Sequence, residues 1–298
     1  MSTTQSAQAS ASTTPIRSTA LTVRPFANGF GAQIDGVDLR QELSDEVFER
    51  IHQAFIDHHV LVFRSQALDD HQQLSFAQRF GPLEGHINRS TRHQQLPKVQ
   101  IFSNVGADGR TTGAVPDKGT LDWHTDKSYV VEPSLTTILR SPTIARQGGD
   151  TLFADMHRAF EALSPEMQTR IANLRAVHDW KRSREKSKER PATAEEIAEA
   201  PPVEHPLVRT HPVTGRKGLY LGNHVSHIIG LPRDESDSLL KELEAHATQP
   251  VFVYRHKWQV DDVLMWDNRC TLHCVEPYDA SVETRAVHRV VVRGDRPY

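Results

Sequence analysis

The stretch VLMWDNRCTLHC, residues Val263 to Cys274, carries the clearest fold signal in this chain. An apolar run is followed by a turn-like Asp-Asn pair and then by a second run that contains His273. Short apolar runs bounded by turn residues are typical of buried β-strands. The stretch therefore predicts that a strand and a turn place His273 at a defined position in a β-structure.

Similar strand patterns recur along the chain, for example over residues 60–63 (VLVF) and 285–294 (RAVHRVVVRG). Helical patterns flank them, as in residues 45–58, where Ser44 can cap a helix with an apolar stripe. The order lacks the regular strand–helix alternation of a doubly wound parallel sheet. We therefore predict a mainly β fold with flanking helices and a double-stranded β-helix (jelly-roll) core.

The 298 residues fit one large domain. Residues 1–18 are rich in Ser, Thr, Ala and Gln, a composition that predicts a disordered tail, so the domain is expected over 19–298. Residues 181–190 carry six basic and two acidic side chains. An exposed excursion is expected at about 180–205; a solvated loop is the simpler interpretation, and a mobile lid is the alternative.

Composition excludes several functional classes. The net charge of −3 argues against nucleic acid or an anionic membrane as the main partner. No apolar run reaches the ~18 residues of a membrane helix, and the N-terminus does not resemble a secretory signal. Two cysteines, Cys270 and Cys274, provide no disulfide framework, so a cytoplasmic location is expected. No interface signature is visible, and a homo-oligomer remains possible.

A candidate metal site begins in LDWHTDKSYV, residues 121–130, where His124 and Asp126 are two residues apart. On a strand such residues share one face, about 6–7 Å apart. Two histidines and one carboxylate are the ligands of oxygen-activating Fe(II) enzymes, although zinc accepts the same donors. The second histidine can be His273, while three other histidines are open alternatives: His86, His224 and His288.

Two arginines, Arg285 and Arg289, are four residues apart in the last predicted strand. If the metal binds the keto acid end of 2-oxoglutarate, the far carboxylate needs a rigid two-pronged donor, which arginine provides. The hydroxyl group of Thr151, in GGDTLFADM, can complete such a clamp. The residues therefore indicate an Fe(II)/2-oxoglutarate site more strongly than a zinc site.

Four motifs in this order, WHTD, GGDT, WDNRCTLH and RAVHR, resemble the taurine / 2,4-dichlorophenoxyacetate dioxygenase family of Fe(II)/2-oxoglutarate oxygenases. The resemblance runs from about Leu21 to Pro297. It implies O₂ as a second co-substrate and a set of site residues. The implied roles are iron binding for His124, Asp126 and His273, 2-oxoglutarate binding for Thr151 and Arg285, and substrate binding for His86 and Arg289.

Three further positions concern the substrate pocket of that family. His224 is expected to line it, in surroundings closer to the phenoxyacetate branch. Lys127 and Thr120 depart from the taurine-type pattern, and Lys127 is either a further substrate contact or solvent-facing. The departures argue against taurine as the substrate.

The resemblance implies hydroxylation of a small organic anion while 2-oxoglutarate is converted to succinate and CO₂. The substrate is expected to be a carboxylate such as an aryloxyalkanoate, an alkyl sulfate or a sulfonate. Hydroxylation of a carbon that bears oxygen or sulfur would cleave the C–O or C–S bond. The alternatives are a non-catalytic metal-containing jelly-roll binding protein and a zinc hydrolase on a β-scaffold.

Overall fold

The computed structural model describes residues 21–115, 117–188 and 190–298. The tail predicted for residues 1–18 lies outside the described residues. Sixteen strands occur in the described part of the chain. They are β1 Thr22–Pro25, β2 Ala32–Asp35, β3 Val60–Phe63, β4 Leu83–Glu84, β5 Val99–Ser103, β6 Ser134–Thr143, β7 Thr151–Asp155, β8 Arg175–His178, β9 Val203–Pro206, β10 Val208–Thr210, β11 Lys217–Leu219, β12 Val225–Ile228, β13 Val253–His256, β14 Asp262–Asp267, β15 Thr271–Val275 and β16 Ala286–Arg293.

Helices connect and flank these strands, so the predicted mainly β fold with flanking helices is confirmed. Three short 3₁₀ turns lie at Arg89–Thr91, Lys118–Leu121 and Pro250–Phe252. The α-helices of the described residues are α1 Asp45–His58, α2 Asp70–Gln78, α3 Met156–Glu161, α4 Pro165–Ile171, α5 Trp180–Lys186, α6 Ala194–Glu199 and α7 Arg233–Ala247. Within this part of the chain, no helix is both long and apolar enough to cross a membrane.

The largest sheet has eight strands in the order β1-β2-β3-β14-β6-β16-β4, with β5 paired to β16. The remaining described strands form two three-stranded sheets, β13-β7-β15 and β12-β8-β9, and one two-stranded sheet, β10-β11. Strands β2 and β3 run parallel, while the other pairs between the described strands are antiparallel.

Helix α1 covers one face of the large sheet. Ser44 caps it by accepting a hydrogen bond from the backbone N–H of Val47, as its position predicts. Val47, Ile51 and Phe55 recur at intervals of four and are all buried, because this spacing places them on one side of the helix. They share a core with Leu61 and other apolar residues of the sheet.

The opposite face of the large sheet turns toward the three-stranded sheet. Leu264 and Trp266 of β14 share a core cluster with Phe153 of β7. The Phe153 ring lies 5.2 Å from that of Trp266 and 6.0 Å from that of His273, measured between ring centroids. The space between these two sheets is therefore where the predicted site residues of β7, β15 and β16 meet.

The segment 180–205 forms α5, α6 and β9 within its described residues. Most of these residues are exposed, but Trp180, Ser183 and Arg184 are buried. Burial occurs because one face of α5 packs against the body of the protein, where the ring of Trp180 lies 5.5 Å from that of Tyr129.

Candidate active site

The backbones of His124 and His273 are directly paired. The N–H of His124 donates to the carbonyl of His273 at 2.9 Å, and the reciprocal bond measures 2.8 Å. This isolated antiparallel bridge brings the two rings to a centroid separation of 4.1 Å. Residues distant in sequence thus meet because β15 carries His273 past the stretch that contains His124.

Asp126 completes a three-residue donor set. Its Oδ2 lies 3.8 Å from Nε2 of His273, and the ligand atoms of His124, Asp126 and His273 lie within 4.8 Å of one another. Metal–ligand distances of about 2.0–2.2 Å fit this spacing, and two imidazoles with one carboxylate match the facial set preferred by Fe(II) oxygenases. The structure thus brings together the three residues that the sequence analysis named as ligands.

Hydrogen bonds orient the donor atoms. Nδ1 of His124 lies 2.8 Å from the carbonyl oxygen of Asp122, which can only accept, so this nitrogen carries the proton. The lone pair is then on Nε2, the arrangement expected of a metal ligand. The carboxylate of Asp126 accepts from the hydroxyl group of Thr137. Each carboxylate oxygen has a second lone pair, so this bond leaves room for a metal ion.

Asn268 ties this arrangement together. Its Oδ1 accepts from the backbone N–H of Asp126 at 3.2 Å and from the indole N–H of Trp266 at 2.9 Å. Its amide group donates to the hydroxyl oxygen of Thr137 at 3.0 Å. Sequence reasoning missed Asn268 and Thr137 as site residues, although Asn268 stands in the quoted WDN turn.

Asp126 is ionised in spite of its burial. Burial opposes the charged carboxylate, but the positive charge of Arg289 favours it, and Nη1 of Arg289 donates to Oδ1 at 2.9 Å. The neighbouring histidines and the Thr137 hydroxyl add to this effect, so the pKa of Asp126 is held below its usual value. An ionised carboxylate is the form that binds a metal ion.

One cavity beside the triad contains the predicted 2-oxoglutarate anchors, Thr151 and Arg285. Arg285 is buried, and its Nη2 has no hydrogen-bond partner among the described residues. Burial lowers the pKa of this guanidinium from its ordinary value. Apolar side chains form much of the wall, namely Phe102, Val115, Leu121, Leu139, Trp266, Val275 and Val287.

The hydroxyl group of Thr151 is oriented by Trp258. The indole N–H of Trp258 donates to Oγ1 of Thr151 at 3.0 Å. Because an indole nitrogen only donates, the Thr151 oxygen must accept, and its own proton remains for another acceptor. A carboxylate bound in this cavity would accept hydrogen bonds from both the Thr151 hydroxyl group and the Arg285 guanidinium.

The glycine pair of GGDT brings the backbone close to Arg285. Gly149 adopts a φ of +73°, and a Cβ atom there would lie 3.3 Å from Cδ of Arg285. A side chain would therefore strain the backbone and crowd the arginine. The pair shapes the approach to the anchor rather than binding a ligand itself.

A second cavity adjoins the first, and Arg289 and His124 line both. All predicted site residues line one or both of these cavities. Those of the second are His86, His124, Asp126, Lys127, His224 and Arg289. His288, weighed as an alternative ligand, instead lies beside Asp70 at 2.6 Å.

Aromatic rings surround the second cavity. The ring of Tyr129 lies 4.8 Å from that of His224 and 5.5 Å from that of Trp180. His86 accepts from the backbone N–H of Asn88 at Nδ1, so its proton lies on Nε2, 3.1 Å from the Tyr129 hydroxyl. Burial lowers the pKa of His86 well below its ordinary value, so it is neutral. Sequence reasoning missed Tyr129 and Trp180.

Two of the three cationic side chains that line this cavity, Lys127 and Arg289, are already engaged in hydrogen bonds. Lys127 has a φ of +58°, and its ammonium group donates to Glu84. It is buried rather than solvent-facing, and a substrate anion would have to compete with Glu84 for it. Arg289 also donates from Nε to Gln100 at 2.9 Å, while its Nη2 lacks a partner within the described part of the chain.

Two histidines and one carboxylate are buried between two β-sheets, beside a cavity that ends in Arg285, whose Nη2 has no partner among the described residues. This arrangement defines the class of non-haem iron, 2-oxoglutarate-dependent oxygenases. The model of the taurine catabolism dioxygenase TauD, TfdA family matches residues 22–291. The chain belongs to this family. It is an oxidoreductase that requires Fe(II), 2-oxoglutarate and O₂, which excludes the binding-protein and zinc-hydrolase alternatives as its main activity.

Named relatives agree with this placement. The chain is 38% identical to the alpha-ketoglutarate-dependent 2,4-dichlorophenoxyacetate dioxygenase of Cupriavidus pinatubonensis, over 89% of this chain and 95% of the relative. It is 32% identical to an alpha-ketoglutarate-dependent sulfate ester dioxygenase of Pseudomonas putida, over 93% and 91%. The crystal structure of AAD-2 with Mn(II) and N-oxalylglycine superposes with a TM-score of 0.83 at 36% identity, covering 93% of this chain and 98% of that one.

Proposed function

We propose that His124, Asp126 and His273 hold the ferrous ion, and that Thr151 and Arg285 hold the far carboxylate of 2-oxoglutarate. The convergence of the three donor atoms supports the first assignment. The unpaired guanidinium nitrogen of Arg285, at the end of an apolar cavity, supports the second. A buried cation without a counter-ion is costly, and a bound carboxylate removes that cost.

We propose an aryl-substituted carboxylate, of the aryloxyalkanoate type, as the prime substrate. Arg289 offers one unpaired N–H group for the carboxylate. Rings of Tyr129, Trp180, His86 and His224 offer apolar and edge contacts for an aromatic group. The similarity to a 2,4-dichlorophenoxyacetate dioxygenase agrees with this proposal, while the sulfate ester dioxygenase makes an alkyl sulfate the second candidate.

When bound, ferrous iron and 2-oxoglutarate supply the oxidising chemistry: O₂ is consumed, succinate and CO₂ are released, and a substrate C–H bond becomes C–OH. The residues of this chain do the positioning. Arg289 fixes the substrate anion beside Asp126, and Thr137 with Asn268 keeps the Asp126 carboxylate in place. If the hydroxylated carbon bears an ether oxygen, the product hemiacetal breaks down and releases a phenol.

The segment 180–205 is proposed to cover the substrate cavity. Trp180, Ser183 and Arg184 of α5 contribute to its wall. Nζ of Lys186 donates to the carbonyl groups of Asn223 and Val225, which attaches α5 to the loop that carries His224. A cover of this kind would exclude water while the substrate is held.

We further infer that the large sheet and the β13-β7-β15 sheet form the two faces of a double-stranded β-helix, because the site residues of both sheets point into the space between them. A cytoplasmic location is also proposed. Two observations support this location: the co-substrate of the enzyme, 2-oxoglutarate, is a metabolite of the cell interior, and both cysteines are free thiols.

A substrate panel tests the function. Succinate release should be measured with an aryloxyacetate, an alkyl sulfate of similar length, and the neutral amide of the same aryloxyacetate. We expect the aryloxyacetate to give the highest kcat/KM. The amide should have a kcat/KM at least about tenfold lower, which corresponds to the loss of a charge-assisted hydrogen bond of about 1.5 kcal/mol. If the amide matches the acid, Arg289 does not bind the substrate anion. If the sulfate is preferred, the carboxylate assignment is wrong while the oxygenase assignment stands.

A further inference from the structure

A second group of metal-ligating side chains lies in the protein interior. The ligand atoms of His59, His157 and Cys270 lie within 4.8 Å of one another. These residues come from the end of α1, from α3 and from the turn between β14 and β15. Their exposed fractions are 3%, 0% and 1%. None of the three belongs to the iron triad or to the cavities described above.

Unpaired nitrogen atoms point to a missing ligand. Nδ1 of His157 lies 2.9 Å from the carbonyl oxygen of Lys217, so Nδ1 carries the proton and Nε2 presents a lone pair. That Nε2 has no hydrogen-bond partner in the described structure, and neither ring nitrogen of His59 has one. A carbonyl that fixes the tautomer of a histidine from behind is the usual second contact of a metal ligand.

A buried imidazole without partners also occurs elsewhere, since neither ring nitrogen of His178 has a partner in the described structure, but His59 and His157 also place their ligand atoms within 4.8 Å of a thiol. A neighbouring group provides a comparison. His211, Asp267 and Cys270 also lie within 4.8 Å of one another. There, however, the Asp267 carboxylate accepts from His211 and from a two-pronged contact with Arg269. Hydrogen bonds account for that group without any ion. They do not account for the lone pairs of His59 and His157.

The backbone of His59 fixes where its imidazole lies. His59 ends α1 with a φ of +65°, a left-handed conformation that is common where a helix closes. Its carbonyl group accepts from the N–H of Asp267 at 2.8 Å, which ties this end of the helix to the turn that contains Cys270. Helix capping explains the backbone conformation but leaves the buried imidazole without a partner among the described residues.

The protonation states suit metal binding. Burial lowers the pKa of His59 to about 3 and that of His157 to about 4, so both rings are neutral and keep a lone pair. Burial raises the pKa of the Cys270 thiol well above its ordinary value. A transition ion displaces the thiol proton, since a coordinated thiol is deprotonated.

We propose that His59, His157 and Cys270 bind one thiophilic transition ion, of the Zn²⁺ class, at a structural site separate from the catalytic iron. Two imidazoles and a thiolate suit zinc and copper better than the harder ions. The ion would connect the end of α1, helix α3 and the turn that leads into β15. Because β15 carries His273, this connection would also support the geometry of the catalytic site.

Cobalt substitution tests the proposal, because only a thiolate ligand gives sulfur-to-cobalt charge transfer in the near ultraviolet. The protein should be refolded anaerobically with a reductant and Co²⁺, and bound cobalt should be counted after removal of free ion. We expect two equivalents and a thiolate band. In His124→Ala the count should fall to one and the band should remain. In Cys270→Ser the band should disappear and one equivalent should remain.

Cys274→Ser is the matched control, since Cys274 is also a buried, free thiol but lies outside the group. It should keep both the band and the second equivalent. His59→Gly should lose the second equivalent and keep the first, and the retained equivalent at the His124 site shows that the variant is folded. A single equivalent without a thiolate band in the wild-type protein overturns the proposal. If elemental analysis of protein produced with both metals finds copper instead of zinc, the site stands and the assigned ion is wrong.

Discussion

The two ends of the active site each contain an arginine, Arg285 directly before β16 and Arg289 within it, but the two arginines are held differently. Arg285 ends an apolar cavity and keeps an unpaired Nη2 within the described structure. Arg289, four residues later in β16, is bonded to Asp126 and Gln100. Arg285 can therefore donate to a bound carboxylate without losing a protein partner, whereas Arg289 is already part of a polar network.

This difference indicates where substrate specificity resides. A ligand at Arg285 gains a charge-assisted contact without displacing a protein partner. A substrate anion at Arg289 must instead use the remaining Nη2, beside the Asp126 carboxylate and within the ring-lined cavity. In the proposed function, the co-substrate end can therefore serve any reaction of this class, while the substrate end selects by charge and shape together.

Arg285→Ala should have the largest effect. Removing one partner of a buried charge contact costs about 2–5 kcal/mol, so KM for 2-oxoglutarate should rise roughly 30- to 5000-fold. The measurement is succinate formation against 2-oxoglutarate concentration at saturating substrate. Arg170→Ala, which removes an exposed arginine paired with Glu235, is the control and should leave KM unchanged. A change below tenfold in Arg285→Ala would assign the co-substrate carboxylate to another residue.

Arg289→Lys tests the other end. Lysine keeps the charge but loses the fixed fork, so KM for the prime substrate should rise roughly ten- to hundredfold, the equivalent of about 1.5–3 kcal/mol. KM for 2-oxoglutarate should remain within about threefold of the wild-type value. The two constants are measured on the same preparation. An equal rise in both would show that the two ends are not separate, contrary to the comparison.

Thr137→Val removes the hydroxyl group that orients Asp126 without changing the side-chain size. Iron affinity should fall about 10- to 100-fold, as expected when a hydrogen-bond partner of a metal ligand is lost. Anaerobic Fe(II) titration of the 2-oxoglutarate complex measures this affinity. Thr136→Val is the control, because Thr136 is equally buried but donates to the carbonyl group of Trp266. Similar losses in both variants would indicate a general packing defect.

Lys127→Met should have the smallest effect. Because the Lys127 ammonium group is bonded to Glu84, its loss should change KM for the prime substrate by less than about fivefold, or about 1 kcal/mol. Steady-state kinetics with the preferred substrate measure this change. Glu84→Gln serves as the companion variant, since it frees Lys127. A large loss in Lys127→Met with no effect of Glu84→Gln would establish Lys127 as a direct substrate contact.

The spacing of residues within one strand was informative at the sequence level. The alternation of side chains along a strand predicted that His124 with Asp126, and Arg285 with Arg289, share a face. The structure brings both pairs to the site, although His124 lies in an isolated bridge and Arg285 directly precedes β16. Both residues proposed for the co-substrate end, Thr151 and Arg285, were named from the sequence, but Trp258, which orients Thr151, was not. The substrate end was predicted in part, because Tyr129, Trp180 and Gln100 carry no motif. Their positions depend on how α5 and β5 pack against the rest of the chain.

The sequence also did not reveal which residues the site side chains contact or bond to. The sequence left three alternatives to His273 open, and a backbone bridge is what places His273 beside His124. Lys127 could face solvent or substrate, and the structure instead pairs it with Glu84. Three clustered donors at His59, His157 and Cys270 had no signal, because their spacing in the chain is irregular.

By itself, the sequence determined the donor types, their order and their local periodicity, and these are sufficient for a mainly β oxygenase with an iron triad and an arginine anchor. Local periodicity follows from backbone geometry, which acts over a few residues. The tertiary structure alone decided which histidine joins the triad, which cations are already paired and which lone pairs are left unmatched. Those outcomes depend on contacts between residues far apart in the chain, and pairing across such distances is set by the packing of the whole core.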